Sequence, residues 1–182
     1  MSQDLEVAPR RVNREAFASE FPSGDATATE CAQNLLRTSR LFADADARSL
    51  RRHNLSIPAR IFLATLEGAE QPLSHSEIAE RLFVSGASVT SLVDTLEKRG
   101  LVVRVRHEED RRVVLLELTD AGRSIVDEFL PEVTALHAAE FSVLDADERE
   151  QFVMLLAKVA AGIESVDVDA VTSAALPRRK SH

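Results

Sequence analysis

Residues 73–118 read LSHSEIAERLFVSGASVTSLVDTLEKRGLVVRVRHEEDRRVVLLEL, and a change of period inside this stretch decides the fold. Ser74-His75-Ser76-Glu77 has the spacing of a capping box: the serine hydroxyl takes an orphan amide and the glutamate three residues on returns the bond. A short helix is predicted behind it, with Ile78, Ala79 and Leu82 on one side. Phe83-Val84 makes a turn, and Ser85 caps a second helix, Gly86 to Arg99, with Val89, Leu92, Val93 and Leu96 facing inward. Gly100 stands where a helix C-terminus wants a left-handed residue. Beyond it the period falls to two. Leu101–His107 and Arg112–Leu118, rich in Val, Leu and Arg, flank the polar turn Glu108-Glu109-Asp110-Arg111, which reads as a β-hairpin.

Two short helices joined by a tight turn and followed at once by a hairpin make a winged helix-turn-helix. A helix has the width to enter a DNA major groove about 12 Å across, and its N-terminal residues then meet base edges. Ser85, Ser88, Thr90 and Ser91 supply hydroxyls there, with Ser74 at the start of the preceding helix and Lys98 and Arg99 at the far end. The hairpin carries Arg104, Arg106, Arg111 and Arg112 towards the adjacent backbone or minor groove.

Outside this stretch the pattern is mostly helical. From Thr29 to His53, Leu35, Leu36, Phe42 and Leu50 fall near helical spacing, which predicts one long helix with Arg37, Arg40, Arg48, Arg51 and Arg52 towards solvent. Ser56 caps the next helix, with Pro58 in its first turn and Ile61, Phe62 and Leu66 inward, and Gly68 to Pro72 breaks it. Thr119 caps a helix through Ile125, Val126, Phe129 and Val133, with a kink expected at Pro131. Asp145-Ala146-Asp147-Glu148 starts a last helix with Phe152, Leu155, Leu156, Val159 and Ile163 on one stripe.

Three segments together resemble the MarR family of bacterial transcription regulators: Leu73 to Leu82, Val84 to Thr90, and Leu96 to Val102. The wing segment Glu109-Asp110-Arg111-Arg112 and the exit Leu118-Thr119-Asp120-Ala121-Gly122-Arg123 are the most diagnostic, and the resemblance covers about residues 29–163. It implies a homodimer that binds pseudo-palindromic double-stranded DNA and a small-molecule effector that weakens the complex. It also implies that Asp110 orients the wing by pairing with a neighbouring arginine, and that Arg111 or Arg112 enters the minor groove. A narrow A·T-rich groove attracts such an arginine electrostatically. The family often has a basic residue after the recognition-helix threonine and another near the following leucine, where this chain has Ser91 and Thr95.

The expected architecture is therefore mainly α with a small β-hairpin wing. An extension spans 1–27, a first dimerisation helix 28–56, the DNA-binding winged helix-turn-helix 57–118, C-terminal dimerisation helices 119–163, and a flexible tail 164–182. A ligand pocket is expected where the first two helices meet the helix after the wing, lined by Leu41, Phe42, Ile61, Phe62, Leu66 and Ile125, with Arg60 beside Arg37 and Arg40 to greet an anion.

The whole chain has 182 residues, with 22 Lys and Arg against 30 Asp and Glu, a formal charge of −8. That balance excludes a protein that coats polyanions indiscriminately. The acidity is not spread evenly: residues 117–170 hold thirteen acidic and three basic side chains, while 77–116 hold seven of each. Eight Phe with no Trp or Tyr leave little for base stacking on single strands. One cysteine, Cys31, excludes an internal disulfide or a cysteine zinc cluster. The histidines show no metal-ligand spacing, and no nucleophile elbow, P-loop or dinucleotide glycine fingerprint is present. Neither an enzyme nor a cofactor is expected. No apolar run approaches the roughly 20 residues that span a bilayer, and Met1 to Glu6 lacks a basic start followed by an apolar stretch, so the expected location is the cytoplasm, away from membranes. Two alternatives stand beside a ligand-relieved repressor: a winged helix that binds protein rather than DNA, and a regulator sensing oxidants through Cys31.

Overall fold

In a computed structural model the described residues are 8–82, 84–106 and 113–175. The wing tip, with His107, Asp110, Arg111 and Arg112, and the basic end Arg178-Arg179-Lys180 lie outside them. The elements run α1 (Arg14–Glu20), α2 (Ala26–Ser49), a 3-10 turn (Arg51–His53), α3 (Ile57–Glu67), β1 (Leu73–Ser74), α4 (His75–Leu82), α5 (Gly86–Lys98), β2 (Val102–Arg106), β3 (Val114–Leu118), α6 (Asp120–Glu140), α7 (Ala146–Ser165) and α8 (Val168–Ala175). The chain divides into two compact units, residues 1–133 and 134–182.

The core of the first unit gathers one face from each element. Leu50, Phe62, Leu63, Ile78, Val89, Val93, Leu96, Leu116 and Phe129 are completely buried, each side chain contributing about 1.5–3 kcal/mol of transfer free energy. The sheet has three antiparallel strands in the order β1-β3-β2. Leu73 pairs with Leu116, while β2 and β3 pair from Val102 with Leu118 to Arg106 with Val114. The third strand was not expected, because two residues are too few to show alternation. It anchors the start of α4 to the hairpin.

The exit from the wing is held by a glycine. Thr119 Oγ1 donates to the carbonyl of Gly100 at 2.6 Å and accepts from the amide of Gly122 at 3.0 Å, while the Thr119 amide donates to the carbonyl of Leu101. A Cβ on Gly122 would stand 2.1 Å from that Leu101 carbonyl oxygen. The Leu-Thr-x-Ala-Gly-Arg run thus presses the first turn of α6 onto the hinge between α5 and β2. Arg123 completes the junction by donating to the Leu118 carbonyl.

Where the sequence predicts one helix over 29–53, α2 stops at Ser49, and the chain turns through Arg51–His53 to Asn54 at φ 52°. The cause is Leu50, completely buried, which points the chain into the core and ends the straight run. Arg52 pairs with Glu132 instead of facing only solvent, and His53 Nε2 lies 3.0 Å from Glu132 Oε2. Pro131 falls inside α6 without ending it.

The extension also has structure. Helix α1 forms within it, with Asn13 capping its start. The segment before it lies along α2. Glu30, 3% exposed, accepts from Arg11 at 2.8 Å, from Arg14 and from the amide of Val12. One turn on, Asn34 accepts from the Arg10 amide and donates to its carbonyl. The guanidinium of Arg11 holds the Glu30 carboxyl below its ordinary range.

In the second unit α7 starts where expected, and Asp145 and Glu148 form a capping box there. Phe141 and Phe152 pack with ring centroids 6.1 Å apart, beside a cavity of about 400 Å³ that also takes in His137 and Leu156. The segment expected to be a flexible tail contains α8, whose first turn is capped by Asp167 through the Ala170 amide.

Candidate nucleic-acid interface

Helix α5 has two faces. Val89, Val93 and Leu96 are fully buried, whereas Ala87, Ser88, Thr90, Ser91, Thr95 and Lys98 are exposed. The exposed set recurs at three- and four-residue spacing, so it forms one strip along the helix. Ser85 caps the start, taking the Ser88 amide at 3.2 Å, and its hydroxyl lies 2.9 Å from that of Ser88. Thr90 and Thr95 donate their hydroxyl protons back to the carbonyls of Gly86 and Ser91. Their lone pairs therefore face outward as acceptors. Ser74 is committed to its cap: its hydroxyl takes the Glu77 amide at 3.3 Å, and Glu77 returns a 2.7 Å bond. These bonds to Ser74 hold the Glu77 carboxyl below its ordinary range.

The arginines divide into free and tied. Arg106, the last residue of β2, is exposed. Arg99 ties the end of α5 to the 3-10 turn, donating to the carbonyl of Asn54 at 2.8 Å and to that of His53 at 3.3 Å. Arg104 bridges two carboxylates of α5: its Nη2 is 2.5 Å from Asp94 Oδ1, and its Nη1 donates to Glu97 Oε2. Asp94 and Glu97 were not singled out from the sequence. Their spacing of three on one helix side was visible, but the cation that joins them comes from another element.

The residues expected to line a ligand pocket sit in different surroundings in the first unit. Phe62 and Leu66 are core, Leu41 is 57% exposed, and Arg60 is spent on buried Asp46 at 2.7 Å. An open groove of about 830 Å³ between α3 and α5, lined by Pro58, Leu82, Val84 and Leu92, takes in Ile61, and one of about 260 Å³ takes in Leu66. Neither these nor the cavities at Arg51 and His137 hold a second member of the set. Phe42 and Ile125 are half-buried away from them. Cys31 is exposed on α2. Among the described residues no group of three His, Cys, Asp or Glu side chains could hold a metal ion, and no helix is long and apolar enough to cross a membrane.

A profile of the MarR family matches residues 53–113, the span from the 3-10 turn to the wing. The HTH-type transcriptional regulator YkoM of Bacillus subtilis is 34% identical over 140 residues, covering 75% of this chain and 89% of that protein. The chain belongs to the MarR family. The HTH-type transcriptional repressor MdtR of the same organism is 36% identical over 108 residues, covering 59% of this chain and 70% of the repressor. Among solved structures, a complex of S. aureus MepR with DNA superposes with a TM-score of 0.66 at 25% identity, over 70% of this chain and 95% of MepR. PcaV of Streptomyces coelicolor with its natural ligand gives 0.60 at 26%, over 68% and 89%. This MarR-family chain is a winged-helix transcription regulator and not an enzyme.

Proposed function

We propose that two copies of the chain bind a pseudo-palindromic operator as a repressor, and that a small-molecule effector releases it. The observation that carries this reading is the outer strip of α5. It is uncharged and rich in hydroxyls from Ser85 to Ser91, and it is followed directly by an arginine-bearing strand. Such a strip suits base edges, and the amides at the helix start suit a phosphate. In this arrangement Ser85, Ser88, Thr90 and Ser91 face the major groove. Lys98 and Arg106 reach the backbone, and the wing segment with Asp110, Arg111 and Arg112 lies at the minor groove.

The DNA bound by MepR and the repressor activity of MdtR support the reading. PcaV, caught with a natural ligand, supports an effector. Dimerisation is supported by α7, where Val153, Met154, Leu155, Val159 and Ile163 are between 47% and 64% exposed. An apolar patch of that extent on a monomer marks an interface. A regulator that works on DNA places the chain in the cytoplasm. Gel-shift titration against the DNA flanking the chain's own gene tests the function: a discrete complex at low salt is expected, and small aromatic acids or antibiotics added in turn should dissolve it when one is the effector. No complex with any such fragment would overturn the reading.

A further inference from the structure

Arg104 leaves β2 and reaches back across α5, where Asp94 and Glu97 stand three residues apart on one helix side. Within Gly86–Lys98 the charged side chains are Asp94, Glu97 and Lys98, so the helix by itself is net negative. Asp94 lies in the same strip as Ser91, Thr95 and Lys98, and its side chain is 49% exposed. Bringing this strip to a duplex sets it against one negative charge per about 1.7 Å of axis. The Debye length of about 10 Å at 0.1 M salt does not remove repulsion at groove distances. The guanidinium of Arg104 answers both carboxylates at once, and the two acids raise its pKa, Asp94 most.

We propose that Arg104 is a positioning residue for the DNA complex. It acts through Asp94 and Glu97, cancelling two carboxylates that would otherwise repel the phosphates, rather than contacting DNA itself. This rests on the DNA reading proposed above. It reassigns an arginine that the sequence placed among the phosphate contacts, and it explains how an acidic pair can sit on the helix that enters the groove.

A charge cycle tests it. The dimer is titrated with a duplex from the DNA flanking its own gene at several salt concentrations, as wild type, as Arg104→Gln, and as Arg104→Gln with Asp94→Asn and Glu97→Gln. The single variant should bind about tenfold more weakly, the size expected for uncovering charge near phosphate. The triple variant should return to within about threefold of wild type, with an unchanged slope of log affinity against log salt, because no phosphate contact has been removed. Thermal melting of the same variants separates this from a role in the fold alone: Arg104→Gln should weaken binding at a temperature where its melting curve shows the dimer still folded. The inference fails if the single variant binds like wild type, or if the triple stays as weak as the single. It also fails if the triple loses about 0.9 in the salt slope, the mark of one lost phosphate contact. Wild-type binding in the same titration separates these failures from a failure of the DNA reading, in which no variant would bind.

Discussion

At the scale of single residues, two positions carry more than their composition suggests. Gly122 is the point of closest approach between α6 and the hinge after α5, and there is backbone on the other side. Gly122→Ala should cost at least about 2 kcal/mol, because the Leu101 carbonyl cannot swing aside as a flexible side chain could. Thermal denaturation should show it as a loss of several degrees. Gly86→Ala is the control: a Cβ there meets nothing within 4 Å, so its melting temperature should stay level or rise slightly. Glu30 is the second position. Its carboxyl is held below the ordinary value of 4.5, so its contribution is fully present above about that pH and fades as pH falls through the depressed value. Exchange of the Val12 amide, corrected for its intrinsic rate, should therefore accelerate on acidification below pH 4.5, and Glu30→Gln should abolish that dependence.

At the scale of elements, α5 is fixed at both ends by side chains from elsewhere. Ser85 caps its start, and Arg99 ties its end to the 3-10 turn through two carbonyls. Arg99→Ala should destabilise by about 1 kcal/mol, the size expected for losing hydrogen bonds to one exposed and one part-buried carbonyl. Urea denaturation should show a lower midpoint with the same slope. The caps, the helix-turn-helix and the hairpin were legible because each is a local event. Ser74 with Glu77, Gly100 at φ 70°, and Asp145 with Glu148 all act within a few residues. What was not legible is long-range. Leu50 ends α2 because the core takes it, Glu30 is buried by a segment about 19 residues away, and Arg104 and Arg99 find partners that periodicity does not reveal. A ligand pocket is hard to read for the same reason: apolar spacing marks residues that face inward, but not whether neighbouring elements leave space between them.

For the whole molecule, the acidic charge and the exposed apolar surface both gather in the later part of the chain. Residues 117–170 hold thirteen acidic and three basic side chains, and the wing and reading helix hold balanced charge. Non-specific DNA binding should therefore be weak and fall steeply with salt, leaving specificity to groove contacts. The exposed apolar stripe of α7 implies that the working unit is larger than one chain. Leu156→Glu together with Ile163→Glu should shift sedimentation from dimer to monomer and abolish tight DNA binding while the first unit stays folded. The central claim is a symmetric reader of duplex DNA, and footprinting the DNA flanking the chain's own gene tests it most directly. Two protected half-sites about one helical turn apart, roughly 34–36 Å, are predicted. A single unpaired footprint, or no protection at low salt, would contradict it.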